Sequence, residues 1–207
     1  MRYIKKLPEP VRFTEWKKEA NAEWTPTFDN MASDVKEKLK ESLIKEQRGI
    51  CCYCESILVK NNSHIEHFRP QEKFEDLSLD YNNLLCSCQS NPKRGDPIHC
   101  GSAKGNWFDD KMLISPLSPD CASHFRYTAD GHIFPANDDD VAAKTTIEHL
   151  ALDCSKLVDS RKAVLEQFLD DSIPDDKFLL YIRKTIETST AENPQSFISA
   201  IISVFGE

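Results

Sequence analysis

From Ser33 onward Val35, Leu39, Leu43 and Ile44 recur at helical spacing, with Ser33 placed to cap the first turn and Asp34 inside it. The spacing predicts a helix that Gly49 ends. Next, Ser56-Ile57-Leu58-Val59 is β-rich, Asn61-Asn62 can turn, and Ser63 to Phe68 alternates polar and apolar residues, which predicts a hairpin. The alternation puts His64, Glu66 and Phe68 on one face and Ile65 and His67 on the other. Asn82 to Cys86 reads as the start of a short helix, and Asn91 to Pro97 as a loop by its turn residues.

Upstream, Tyr3-Ile4-Lys5 is a short strand candidate cut off by Pro8 and Pro10, and Trp16 and Trp24 anchor this arm on the main body. Downstream, His124 to Thr128 and His132 to Pro135 flank Asp130-Gly131 as a second hairpin. The acidic run Asp138 to Asp140 starts a helix, and the remaining chain is helical, with new starts at Pro174 and at Asn193-Pro194. The last helix carries Phe197, Ile198, Ile201, Ile202, Val204 and Phe205, so burial is expected ahead of a docking role. No internal repeat or low-complexity tract is visible.

The 207 residues suffice for one good core, or for a domain with a smaller metal-stapled module. Three parts are expected: an arm and helix over 1–48, a chemistry-bearing module over 49–110, and a hairpin with helices over 111–207 packed with the module. No apolar run approaches the ~20 residues of a bilayer span, and the first residues lack the apolar region of a signal peptide, so no membrane association and a cytoplasmic location are expected. Eight cysteines in such a chain are read as metal ligands rather than disulfides. The net charge is −8, while Arg48 to Lys104 holds seven basic and seven acidic side chains, which places the acidic surplus in the flanks. A nucleic-acid function then calls for a local basic rim or a partner that brings positive surface.

The module concentrates the chemistry. Cys51-x-x-Cys54 lets two thiolates grip one tetrahedral ion from a tight turn, and a second pair is required to close the site. Cys86 and Cys88 stand too close for a knuckle of ordinary spacing, so Cys88 with Cys100 completes a structural zinc site and leaves Cys52 and Cys86 as packed free thiols. His64-Ile65-Glu66-His67, followed by Arg69, suits phosphodiester hydrolysis: an imidazole as general base at His67, a hard oxygen ligand for a divalent ion at Glu66, and a planar cation for phosphate at Arg69.

These pieces, Cys51-x-x-Cys54, His64-Ile-Glu-His67-Phe-Arg-Pro70, Asn83-Leu-Leu, Cys88 and Cys100-Gly-x-x-Lys104-Gly105, together resemble the HNH endonucleases of ββα-metal type with an added four-cysteine zinc site. With the later Asp130-Gly131-His-Ile-Phe-Pro135 piece, the similarity is to the retron-associated HNH group and to PtuB, the nuclease subunit of the Septu antiphage system. The resemblance implies an α+β fold, predominantly helical, with a zinc-stapled ββα-metal module and a second short hairpin. It implies His67 as general base, Glu66 as a ligand of a catalytic Mg²⁺ or Mn²⁺, and Asn83 as the residue that orients loop and base. The third HNH position departs from the pattern: Gly101 follows the last cysteine, so Asn91 is the first substitute ligand, with His64 and His99 as rivals. The implied partners are nucleic acid, DNA before RNA, and a PtuA-like ATPase. Two other classes compete. A zinc deaminase would share His64-x-Glu66, but its Cys-x-x-Cys should follow that motif rather than precede it. A zinc-stapled adaptor that binds an ATPase would use the histidines only structurally.

Overall fold

The helix at Ser33–Glu46 forms the floor on which the module is built. In the computed structural model, which describes residues 1–169 and 175–206, the order is α1 (Val11–Lys18), α2 (Ser33–Glu46), β1 (Ser63–His67), β2 (Leu84–Cys88), the one-turn α3 (Gly101–Lys104), β3 (Phe125–Tyr127), β4 (Ile133–Pro135), α4 (Val141–His149), α5 (Ser155–Glu166), α6 (Asp175–Glu187) and α7 (Ile198–Phe205). The fold is thus α+β, with two separate two-stranded antiparallel sheets among the described residues, β1–β2 and β3–β4. No helix among the described residues is long and apolar enough to cross a membrane.

Val35, Leu39 and Leu43 of α2 are fully buried, as their spacing dictates. The cap differs from expectation: Ala32 precedes the helix and Ser33 is its first residue, without a side-chain cap. Tyr3-Ile4-Lys5 forms no strand, and the Ile4 N–H donates to the Pro116 carbonyl at 2.8 Å. The unforeseen α1 starts directly after Pro10 and buries only Phe13 and Trp16, too sparse an apolar pattern to announce a helix.

The first predicted hairpin has the wrong partner. β1 pairs with β2, from Ser63 opposite Cys88 to His67 opposite Leu84, whereas 56–59 forms only an isolated bridge, Ile57 to Ile50. That segment is occupied in closing the cysteine turn: Cys51 N–H donates to the Ser56 carbonyl and Leu58 N–H to that of Gly49, both at 2.8 Å. The expected helix at 82–86 is one 3₁₀ turn at Tyr81–Asn83, followed by strand. All five residues of β2 are buried, so no alternation marks the strand, and a short apolar run reads equally as helix.

The second hairpin forms as its turn chemistry requires, with Phe125 opposite Pro135. Asp140 caps α4, its Oδ1 accepting from the Ala143 N–H at 2.9 Å. The Pro174 start lies outside the described residues. α7 begins at Ile198, four residues beyond Pro194, after Phe197 in a left-handed conformation, and it buries Ile198, Ala200 and Ile201. One core gathers α1, α2, both hairpins and Leu150 to Leu157; a smaller one forms among Leu165, Phe168, Ile182, Phe197 and Ile201.

Gln47, just past α2, acts as a surrogate strand. Its Oε1 accepts from the Cys86 N–H at 2.6 Å, and its Nε2 donates to the carbonyls of Cys86 and Ile50 at 2.8 and 2.9 Å, all in a buried setting. Gln47→Ala is therefore expected to cost about 2 kcal/mol of unfolding free energy, because buried β2 groups lose their partner. A urea midpoint indistinguishable from that of the unaltered protein would remove Gln47 from this role.

Candidate metal and catalytic site

The four cysteines chosen by spacing converge. Cys51 and Cys54 come from the turn after Ile50, Cys88 ends β2 and Cys100 precedes α3, and their sulfurs all lie within 4.8 Å of one another, buried. The Cys54–Cys88 sulfur separation is 3.7 Å, close to the about 3.8 Å edge of a Zn–S tetrahedron. Backbone N–H groups of Ser56 and Cys88 point at the sulfurs of Cys54 and Cys51, each at 3.4 Å. Cys100 adopts φ 58° to bring its sulfur in, a strained conformation for a side-chain-bearing residue.

Protons are shared unequally. Against burial, which raises every thiol, donation led by Cys100 brings Cys51 well down and Cys54 to about 7. Cys100 is pushed well up by burial and by its donation to Cys51. A cation is what lets four such buried thiols ionise together, so the donor set fits a tetrahedral thiophilic metal. Cys52 and Cys86 are buried outside this cluster. His99, a rival ligand for the other site, instead rests on the cage, its Nδ1 3.2 Å from the Cys100 sulfur and 3.7 Å from that of Cys88.

β1 carries the second constellation. Glu66 is buried at 6% exposure. Its Oε2 lies 3.3 Å from His64 Nε2, and its Oε1 lies 2.9 Å from the Lys104 ammonium and accepts from the Tyr53 hydroxyl at 3.1 Å. Although burial opposes ionisation, His64 and Lys104 hold the Glu66 carboxyl below its ordinary pKa. Directly over Oε2 and Nε2 stands Gly101, where a Cβ would come within 2.4 and 2.7 Å of those two atoms. Two cis ligands of an octahedral Mg²⁺ stand about 3 Å apart. The nitrogen–oxygen pair, which the missing side chain of Gly101 lets pack against the backbone, therefore fits a divalent ion.

His67 faces the other way. Its Nε2 contacts the Ser78 carbonyl at 3.0 Å, and a carbonyl only accepts, so Nε2 carries the hydrogen and Nδ1 keeps its lone pair. Phe28 packs edge-on against the ring at 4.4 Å, and burial keeps the imidazole pKa below its usual value.

Asn83 spends its amide on the connecting loop: Oδ1 accepts from the Arg69 N–H at 2.8 Å, and Nδ2 donates to the carbonyls of Arg69 and Leu77 at 3.0 and 3.1 Å. With His67 holding Ser78, this fixes the chain between the two strands. The Arg69 guanidinium lies over the rings of Phe74 and Phe108, 5.6 and 5.0 Å from their centroids. Asn91 is not brought to Glu66; it sits exposed, its hydrogen bonds going to Asn62 and Ser90. The residues between Cys88 and Cys100 thus loop outward, which sequence distance from Asn83 does not reveal. Tyr53 and Lys104 escaped attention as site residues, although both lie inside the motif pieces. A cleft of about 770 Å³ between α2 and β1 opens beside His64, where Lys36, Lys40 and Lys60 are interleaved with Glu37 and Glu41.

The four buried cysteines thus lie beside a hairpin whose first strand carries Glu66 paired with His64 and, next to it, His67. Comparison with characterised sequences finds similarity to HNH proteins of retrons and to Septu PtuB proteins. It is 29% identical over 174 residues, covering 80% of this chain and 77% of the relative, to the protein predicted to be the HNH endonuclease of retron Vc95 in Vibrio cholerae serotype O1 biovar El Tor. It is 26% identical over 207 aligned positions, covering 81% and 80%, to the corresponding protein of retron Ec83 in Escherichia coli. It is also 31% identical over 120 residues to the Septu protein PtuB of Bacillus mycoides (strain KBAB4), covering 47% of this chain and 41% of that protein. No family profile matches the chain.

Proposed function

We propose that the chain is the HNH endonuclease subunit of an antiphage defence system of the retron and Septu kind, hydrolysing phosphodiesters of DNA. The observation that carries this reading is the paired orientation on β1: His67 has its Nε2 committed to Ser78 and its Nδ1 free, and the adjacent Glu66 turns to the opposite face beside His64. In this reading β1, β2 and α3 are the ββα-metal unit, and the four thiolates hold a structural zinc beneath it.

A water molecule gives its proton to His67 Nδ1 as its oxygen attacks phosphorus in line with the departing 3′ oxygen, which leaves a 5′ phosphate. A divalent ion, Mg²⁺ or Mn²⁺, would be held by Glu66 and His64 and would supply charge neutralisation at the leaving oxygen. Asn83 keeps the loop that positions His67 in register, and Arg69 supplies a cation for a neighbouring phosphate. Because the lysines of the cleft stand among glutamates and the net charge is −8, a PtuA-like ATPase is the proposed partner for substrate capture.

The test is cleavage of supercoiled plasmid and of a structured RNA in Mg²⁺ or Mn²⁺, by the protein alone and co-expressed with the ATPase. Nicked plasmid with intact RNA is expected. Cleavage of RNA alone would change the substrate, and survival of both in the complex would favour a non-catalytic adaptor.

Gly101 offers an independent check on the ion position. Gly101→Ala is expected to separate His64 from Glu66 and to weaken Mn²⁺ binding by roughly tenfold or more. Unchanged affinity by electron paramagnetic resonance would place the ion elsewhere.

A further inference from the structure

Lys104 is buried to 3% exposure at the end of α3, and the hydrolytic steps above give it no task. Its ammonium has three protons and three acceptors: Glu66 Oε1 at 2.9 Å, the His67 carbonyl at 3.1 Å and the Gly105 carbonyl at 3.3 Å. The Tyr53 hydroxyl takes the same carboxylate oxygen at 3.1 Å. Glu66 is thereby divided. Oε1 is saturated by a cation and a hydroxyl, while Oε2 meets only His64 Nε2 and lies against Gly101, which has no side chain to cover it.

We infer that Lys104 is a positioning residue and built-in counter-cation that meters ion binding: it neutralises Glu66 and reserves Oε1, so the free protein holds a divalent ion weakly and holds it tightly only with a substrate phosphodiester. The inference rests on the Glu66–His64 ion site proposed above. Affinity for a hard cation grows with the number and charge of its oxygen ligands. A carboxylate already matched by an ammonium, together with one neutral imidazole, offers a divalent ion one oxygen and no net charge. A phosphodiester adds both an oxygen and a negative charge. The contact from Lys104 to the His67 carbonyl also ties the ion ligand to the peptide of the base, so loading the ion and aligning the imidazole depend on one side chain.

The experiment is Mn²⁺ titration by electron paramagnetic resonance on the zinc-loaded protein carrying His67→Ala, which leaves added DNA intact, with and without a duplex oligonucleotide. The expected result is weak binding alone, tightened about tenfold or more by the duplex. Adding Lys104→Gln, which keeps a donor for the two carbonyls but removes the charge, should tighten binding to the free protein by about tenfold and abolish most of the gain from duplex. Lys104→Arg should restore the parent behaviour. Zinc content and the thermal melt establish that each variant is folded. Mn²⁺ held equally with and without duplex by the protein with Lys104 intact would overturn the inference even if Lys104→Gln does not fold. So would a folded Lys104→Gln protein with unchanged affinity. No bound Mn²⁺ in any arm would instead overturn the ion site itself.

Discussion

Cys54→Ala is expected to lose the proposed structural zinc and most of the cooperative fold. Binding of Zn²⁺ to such a site contributes about 10–16 kcal/mol, as much as or more than the about 5–15 kcal/mol by which ordinary domains are stable. The loss cannot remain local. The cysteine turn carries Glu55, whose carbonyl accepts from the Phe197 N–H at 3.1 Å and whose Oε2 accepts from the Ser199 N–H at 2.9 Å, so the turn anchors the start of α7. Cys51 receives the Cys88 N–H at the end of β2, so the hairpin bearing Glu66 and His67 loosens with it. Zinc measured by atomic absorption should fall below one equivalent, and the melt followed by circular dichroism should shift far down or lose its cooperativity. Full zinc with an unchanged melt would show that Cys54 is not a ligand, and His99, already against the sulfurs, would be the replacement to test.

Which features were legible in the chain follows from how local their cause is. The stripe of α2, the Asp130-Gly131 turn and the helix start after the acidic run Asp138 to Asp140 each depend on a few neighbouring residues, and each appears where the pattern puts it. The cysteine cluster was legible because ligand chemistry restricts spacing more tightly than packing does. Partnership between strands was not. Ser56 to Val59 has the composition of a strand, but its backbone groups close the cysteine turn, and the true partner of β1 lies beyond a long connection in a fully buried segment without alternation. Gln47 was invisible for the same reason, since a glutamine serving as the rim of a sheet has no local signature. The relation of His64 to Glu66 follows from strand period alone, whereas the approach of Gly101 and Lys104 requires the tertiary fold.

His67→Ala measures the central claim most directly. With Nε2 bound to the Ser78 carbonyl, His67 has Nδ1 as its remaining base, and removing a positioned general base typically costs about 10²–10⁴-fold in rate. The fold should persist, because the imidazole is partly exposed and the Ser78 contact is a single hydrogen bond beside the three made by Asn83 to the same connection. The measurement is the rate of Mn²⁺-dependent nicking of supercoiled plasmid by the protein co-expressed with the proposed PtuA-like ATPase, comparing unaltered protein with His67→Ala at equal zinc content and melting temperature. Nicking that leaves 5′ phosphates and falls at least a hundredfold in the variant is the expected result. Nicking at an undiminished rate by a folded, zinc-loaded His67→Ala protein would contradict it.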